Sequence, residues 1–309
     1  MQRTLARSLA FAGVGLHGGR PVRMTLRPAP AGTGIAFLRV DVTERDPLVP
    51  ARWDRVVDTR LCTVIGNAAG VTVSTVEHVM AALAGCGVDD ALIDIDGPEV
   101  PIMDGSAQPF VDALLAGGLV AAPFPQRAIR ILGPVTVERG DARATLLPAE
   151  PGQDGLRLEL SIAFDDAAIG RQSFAMDLTP AGFIEAVADC RTFARLAEIE
   201  SLRAAGLAQG GGLHNAVVVD GARVLNRGGL RRPDEFVRHK TLDAVGDLAL
   251  AGAPIIGRYV GVKAGHALTN QVLQALFARP DAWRWEPASP RTLPAPLDLP
   301  RGPERIAAE

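Results

Sequence analysis

The sequence has only two lysines, Lys240 and Lys263, among 32 basic residues. Arginine holds every other basic position, so these two mark places where a compact ammonium does not exchange for a planar guanidinium. Cysteine is scarce too. Cys62, Cys86 and Cys190 are odd in number, widely spaced and contain no CxxC pair, which fits buried free thiols in a reducing, cytoplasmic setting better than a disulfide framework. There is no run of 18 apolar residues, and the nearest stretch, 248–262, is broken by Pro254 and Arg258. A soluble chain without stable membrane insertion is therefore expected. Nor is there a cationic excess: the net charge of −3 argues against a nucleic-acid or anionic-membrane partner and leaves any anionic substrate to local cations. The short apolar stretch after Arg3 and Arg7 reads as a first strand, not a signal peptide.

The 309 residues, 48% of them hydrophobic, exceed what one core usually organises, so two domains are expected. Pro123 and Pro125 mark a boundary within 121–129. It separates a first domain at 1–122 from a second at 128–285, with a proline-rich tail at 286–309 expected to be poorly ordered. Each half opens on alternating β-branched segments and then changes to helix, strand, helix. The fold class is α+β: two domains of similar topology, each a helical layer packed on β-sheet, with the active site between them. Ser74 and Glu77 form a capping-box pattern that opens a helix ending at Gly85, and Ser106 caps a second helix. Pro233 and Asp234 open a long helix to about residue 250, and a further helix spans about 267–278. Residues 194–225 read as an insertion.

Three of the five histidines lie in polar clusters. In RHKTLDAVGDL, His239 and Asp243 are four apart on a helix and project from one face, with Asp247 continuing the stripe and an apolar face opposite. Such a pair supplies two corners of a tetrahedral metal site, although a solvent-facing His-Asp pair has the same spacing. The first half supplies Glu77 followed at once by His78. Adjacent helical residues diverge by about a quarter turn, so His78 is able to ligate while Glu77 addresses an attacking water; an exposed Glu-His pair is the alternative. His78, His239 and Asp243 with one open position make a catalytic rather than a structural zinc site. His266, at a strand-to-helix corner in KAGHALTN, is a proton donor for a leaving amine with Asp247 as its partner, or else a helix cap. Lys240 and Lys263 adjoin two of these histidines. GVGLHGG fits a β-hairpin, and Gly210 to Gly212 lack the GK[ST] ending of a phosphate loop. His214 belongs to the insertion.

The ordered motifs GVGLH, DTRLCT, STVEHVMAALAG, PIMDGSA, CRTF, DEFVRHKTLDAVGDL and GHALTN closely resemble the UDP-3-O-acyl-N-acetylglucosamine deacetylases of lipid A synthesis, over about residues 3–285. The resemblance implies zinc on His78, His239 and Asp243, with Fe2+ as an alternative metal in the cell. It implies Glu77 as base, His266 as electrostatic stabiliser and acid, Asp247 ordering it, and Thr192 donating to the developing oxyanion. It further implies an acyl passage in the insertion, with Leu16, Ile199, Leu213 and Val218 as walls, lysines 240 and 263 near the sugar nucleotide, and Phe164 against uracil beside Phe193. A UDP-linked acylated glucosamine is the expected partner and a monomer the expected state. Arg195 and Leu213 replace residues that are frequently aromatic in the family, which bears on acyl-chain length. Two rivals stand beside this reading: a zinc amidohydrolase of another N-acetyl substrate, and a non-enzymatic, metal-stabilised sugar-nucleotide binder.

Overall fold

The structure is a computed structural model that describes residues 1–289. It is a mixed α+β fold with several sheets and six α-helices among the described residues. In the first half, alternation of buried and exposed residues builds a five-stranded sheet in the order Leu9–Val14, Pro21–Pro28, Ala91–Ile95, Ile35–Arg39, Leu48–Pro50. The hairpin expected at 13–19 joins its first two strands, and Ala10 to Ala12 lie in the first. The central Ala91–Ile95 pairs antiparallel with Pro21–Pro28 and parallel with Ile35–Arg39.

The second half repeats that order within a seven-stranded sheet. Val135–Arg139, Ala142–Leu147 and Ile255–Val262 run side by side, and Leu156–Ala163 then pairs parallel with Ile255–Val262 and antiparallel with Arg171–Asp177. Arg127–Ile131 and Trp283–Pro287 complete the sheet. Glu286 thus belongs to a strand, where it pairs with Arg130 at 2.6 Å. Residues 290–309, most of the expected tail, lie outside the described residues. Phe193–Arg195, Val217–Asp220 and Arg223–Val224 form a small sheet of their own around the insertion.

The helices are α1 (Glu77–Cys86), α2 (Gln108–Gly117), α3 (Pro180–Ala186), α4 (Leu196–Ala204), α5 (Glu235–Ala249) and α6 (His266–Phe277). Two expectations about α1 are corrected. Ser74 does not cap it: its hydroxyl donates to the Pro98 carbonyl at 3.1 Å, and Val76, in helical conformation, stands at the cap without a side-chain bond. Glu77 is turned elsewhere, so the reciprocal half of a capping box is missing. The helix also continues through Gly85 and ends at Gly87, whose left-handed φ of 77° and N–H to the Ala84 carbonyl close it. Gly85 is there for packing, since a Cβ would lie 2.2 Å from the Phe183 ring on α3. Ser106 stands one residue before the cap of α2 and accepts the Gln108 N–H at 3.2 Å.

Helix α5 is buried on nearly every side, its polar stripe included. It crosses α1 with Gly246 against the Glu77 backbone, where a Cβ would fall 2.0 Å from the Glu77 carbonyl oxygen. This close approach brings the first turn of α1 to the middle of α5. No helix among the described residues is long and apolar enough to cross a membrane. All three cysteines are free and buried, and burial pushes the Cys62 and Cys86 thiols up to about 12, so they are inert at neutral pH.

Candidate metal centre and its surround

His239, Asp243 and Asp247 follow one another at successive turns of α5, while Glu77 and His78 open α1. Their convergence places ligand atoms of His78, His239 and Asp243 within 4.8 Å of one another, all three residues buried. Asp243 Oδ1 lies 3.2 Å from His239 Nε2 and 3.6 Å from His78 Nε2. The two imidazoles meet nearly perpendicular, with centroids 5.0 Å apart. The solvent-facing reading of the His-Asp and Glu-His pairs is thereby excluded.

Whether this group suits a cation is decided by what its atoms lack. Asp243 Oδ1 is buried without a hydrogen-bond donor, and so is His78 Nδ1 without a partner. An unsatisfied buried carboxylate oxygen costs free energy unless a cation meets it. His239 Nδ1 lies 3.0 Å from the Cys190 carbonyl, which only accepts, so Nδ1 carries the proton and Nε2 keeps a free lone pair toward Asp243. Burial drives the His239 imidazole down to about 4, with Asp243 opposing, so the ring is neutral as a ligand must be. Burial opposes ionisation of Asp243, but His239 and the Lys240 ammonium at 2.8 Å outweigh it and hold the carboxyl well below its usual range. Two imidazoles and one carboxylate form a donor set of the kind found in open, hydrolytic metal sites.

A second ring of groups surrounds the first. His266 Nδ1 contacts Asp247 Oδ2 at 2.8 Å, and its Nε2 lies 3.8 Å from Glu77 Oε1. Burial disfavours the His266 imidazolium, but Asp247 and then Glu77 overcome it and raise the group to about 9. Burial also raises the Glu77 carboxyl, against the pull of His266 and His78. A carboxylate made more basic thus faces an imidazolium that stays protonated at neutral pH.

Thr63 binds these two carboxylates together, a role that sequence reasoning missed. Its N–H donates to Glu77 Oε2 at 3.0 Å and its hydroxyl to Asp247 Oδ1 at 2.5 Å. Its only advance signal is its place in DTRLCT, because a backbone N–H has no sequence signature. Gly246 was missed for a similar reason.

The remaining candidates fall into three sets. Phe164, Phe193 and Phe236 form an edge-to-face chain, and Phe193 lies 6.3 Å from the His239 ring. Thr192, beside Phe193, is held by its N–H to the Gly105 carbonyl of the first half at 2.8 Å. Lys240 belongs to the metal group through Asp243, whereas Lys263 is exposed at a left-handed φ of 49° and bonds Asp141. In the insertion, Val218 is buried in a strand, Ile199 and the neighbouring Leu16 are half-buried, and Leu213 is 52% exposed. Arg195 is engaged by Asp166 and by Glu198 at 3.0 Å. His214 is exposed in the insertion.

Comparison with known proteins agrees with this chemistry. A family model described as UDP-3-O-acyl N-acetylglycosamine deacetylase matches residues 2–278. The UDP-3-O-acyl-N-acetylglucosamine deacetylase of Phenylobacterium zucineum is 54% identical over 92% of this chain and 95% of its own length. That of Idiomarina loihiensis is 48% identical over 96% of each. Likeness across nearly the whole length, with the ligand-forming residues gathered at one point, means that this chain belongs to the UDP-3-O-acyl-N-acetylglucosamine deacetylase family.

Proposed function

We propose that this chain hydrolyses the acetamide of a UDP-linked, 3-O-acylated N-acetylglucosamine, releasing acetate and a free amine as the committed step of lipid A biosynthesis. The observation that carries the reading is the buried His78, His239 and Asp243 group flanked by a carboxylate and a raised imidazole. Zinc is the metal best suited to these donors, with ferrous iron the alternative. When bound, it supplies Lewis acidity, polarising the acetamide carbonyl and making water nucleophilic at neutral pH.

Glu77 takes the proton of the attacking water, its Oε2 anchored by Thr63 so that Oε1 is free to act. His266 gives a proton to the departing amine, and Asp247 keeps its Nδ1 occupied so that Nε2 faces the reaction. Thr192 donates to the carbonyl oxygen as charge builds there. Lys240 and Lys263 meet the sugar nucleotide, Phe164 stacks on uracil beside Phe193, and Leu16, Ile199, Leu213 and Val218 wall the acyl passage in 194–225. Two domains of similar topology, 1–122 and 128–285, frame the site; the repeated strand order of the two sheets supports this reading. The enzyme works as a cytoplasmic monomer.

Purified protein is expected to release acetate from an O-acylated UDP-N-acetylglucosamine, to stop after chelation, and to resume when zinc is returned. No release from folded, zinc-loaded protein would leave the related-substrate or binding-protein reading. The pH profile is a second test. His266 must be protonated to act, so activity is retained below its raised value and falls as pH rises through about 9. Asp247→Asn removes the largest influence that raises it, and the basic limb of kcat should move to lower pH. An unmoved limb would assign the proton donor elsewhere.

A further inference from the structure

Glu99 is a carboxylate only 7% exposed, and its partners are backbone and hydroxyl groups rather than a cation. Oε1 accepts the His17 N–H at 2.7 Å and Oε2 the Gly18 N–H at 2.7 Å, so the carboxylate caps the turn between the first two strands. Successive N–H groups converging on one anion fix a turn's conformation strongly. Gly15 and Gly18 make room for it: a Cβ at Gly15 would lie 2.3 Å from Glu99 Oε2. On its other side, Oε1 accepts the Thr75 hydroxyl at 3.1 Å, and Thr75 is held at a left-handed φ of 57°. Thr75 stands two residues before Glu77.

The same turn is joined to the insertion. The Gln209 N–H donates to the His17 carbonyl at 3.1 Å and the Gly210 N–H to the Leu16 carbonyl at 3.0 Å. The approach is close, since a Cβ at Gly210 would fall 2.2 Å from the Gly15 carbonyl oxygen. Burial holds the His17 imidazole below its ordinary value, with Glu99 opposing. The Glu99 side chain thus ties the turn at 15–19 to the approach to α1, and the insertion at 208–210 rests on that same turn through backbone hydrogen bonds.

We propose that Glu99 is a positioning residue that sets preference for the acylated substrate, by clamping to the approach of α1 the 15–19 turn on which the insertion rests. It rests on the function proposed above and adds to it a specificity determinant that touches neither substrate nor metal. With the carboxylate gone, the His17 and Gly18 N–H groups lose their acceptor, the turn loosens, and the insertion loses its fixed edge. The reacting groups keep their own anchors on Thr63 and Asp247.

The test compares kcat/KM for UDP-3-O-acyl-N-acetylglucosamine and for unacylated UDP-N-acetylglucosamine in zinc-loaded, full-length enzyme. Glu99→Gln keeps the shape but turns one acceptor into a donor facing an N–H. It should lower kcat/KM for the acylated substrate by about tenfold or more, mainly through KM, with a smaller loss on the unacylated one. Gly210→Ala leaves Glu99 intact and presses the insertion off the turn; it should lower the same preference, and it decides the matter if Glu99→Gln does not fold. Equal losses on both substrates, or a preference retained by Gly210→Ala, would overturn the clamp. Wild-type enzyme indifferent to the acyl chain would reject the proposed function, and the clamp with it.

Discussion

Glu77→Ala is expected to lower kcat by roughly three orders of magnitude while the protein keeps its metal, the loss typical of a general base. Glu77 is the first residue of α1 and adjoins His78, and its carboxylate is held by the Thr63 N–H and faces His266, outside the His78, His239 and Asp243 group. Removing it takes away the proton acceptor without taking away a donor to the cation. Elemental analysis of purified variant and wild type checks the second half of the statement, and steady-state acetate release the first. Glu77→Gln separates chemistry from structure, since an amide oxygen still accepts the Thr63 N–H but has little basicity. It should lose nearly as much turnover as the alanine variant. Near-normal turnover by either pure variant would remove Glu77 from the role of base.

Gly246→Ala should break the site from a position that touches no ligand atom. In an ordinary helix interior the change adds about 0.5–1 kcal/mol of stability, because glycine is the poorer helix former. Here the added methyl would meet the Glu77 carbonyl oxygen at 2.0 Å and its carbonyl carbon at 2.8 Å. These are backbone atoms of a buried helix and have nowhere to turn. Helices α1 and α5 must separate, at a cost of about 1–3 kcal/mol typical of overpacking. One metal ligand rides on α1 and two on α5, so the same movement opens the donor set and should weaken zinc binding by about tenfold or more. Thermal unfolding of the metal-free protein reads the packing cost, and competition with a chelator reads the affinity. A more stable variant with unchanged affinity would show that the helices have slack at this crossing.

How much of this was legible beforehand differs from residue to residue. His239, Asp243 and Asp247 were legible because helical pitch puts every fourth residue on one face, whatever the helix packs against. The strands Ala91–Ile95, Ala142–Leu147 and Ile255–Val262 were legible from length and β-branched content within clear turn signals. The Ser74 and Glu77 capping pattern misled, because a capping box is a local bargain that a tertiary demand overrides. Glu77 is held by Thr63 across the fold, and Ser74 by Pro98. Gly85 misled in the same way: read as a stop, it is a recess for Phe183. The motifs named the family without these details, since identity of residues carries history as well as physics.

The sequence alone determined which side chains were available and, through helical and strand periods, which of them shared a face. It therefore supplied the candidate metal donors and the proposed base and acid, together with the exclusions that follow from few lysines, unpaired cysteines and no long apolar run. Only the tertiary structure decided their relations: that His78 meets His239, that Thr63 bridges Glu77 and Asp247, and that Glu99 joins the 15–19 turn to Thr75 ahead of α1. The physical reason is range. Periodicity acts over a few residues, whereas pKa shifts, unsatisfied ligand atoms and backbone hydrogen bonds depend on distances of a few ångströms between residues far apart along the chain.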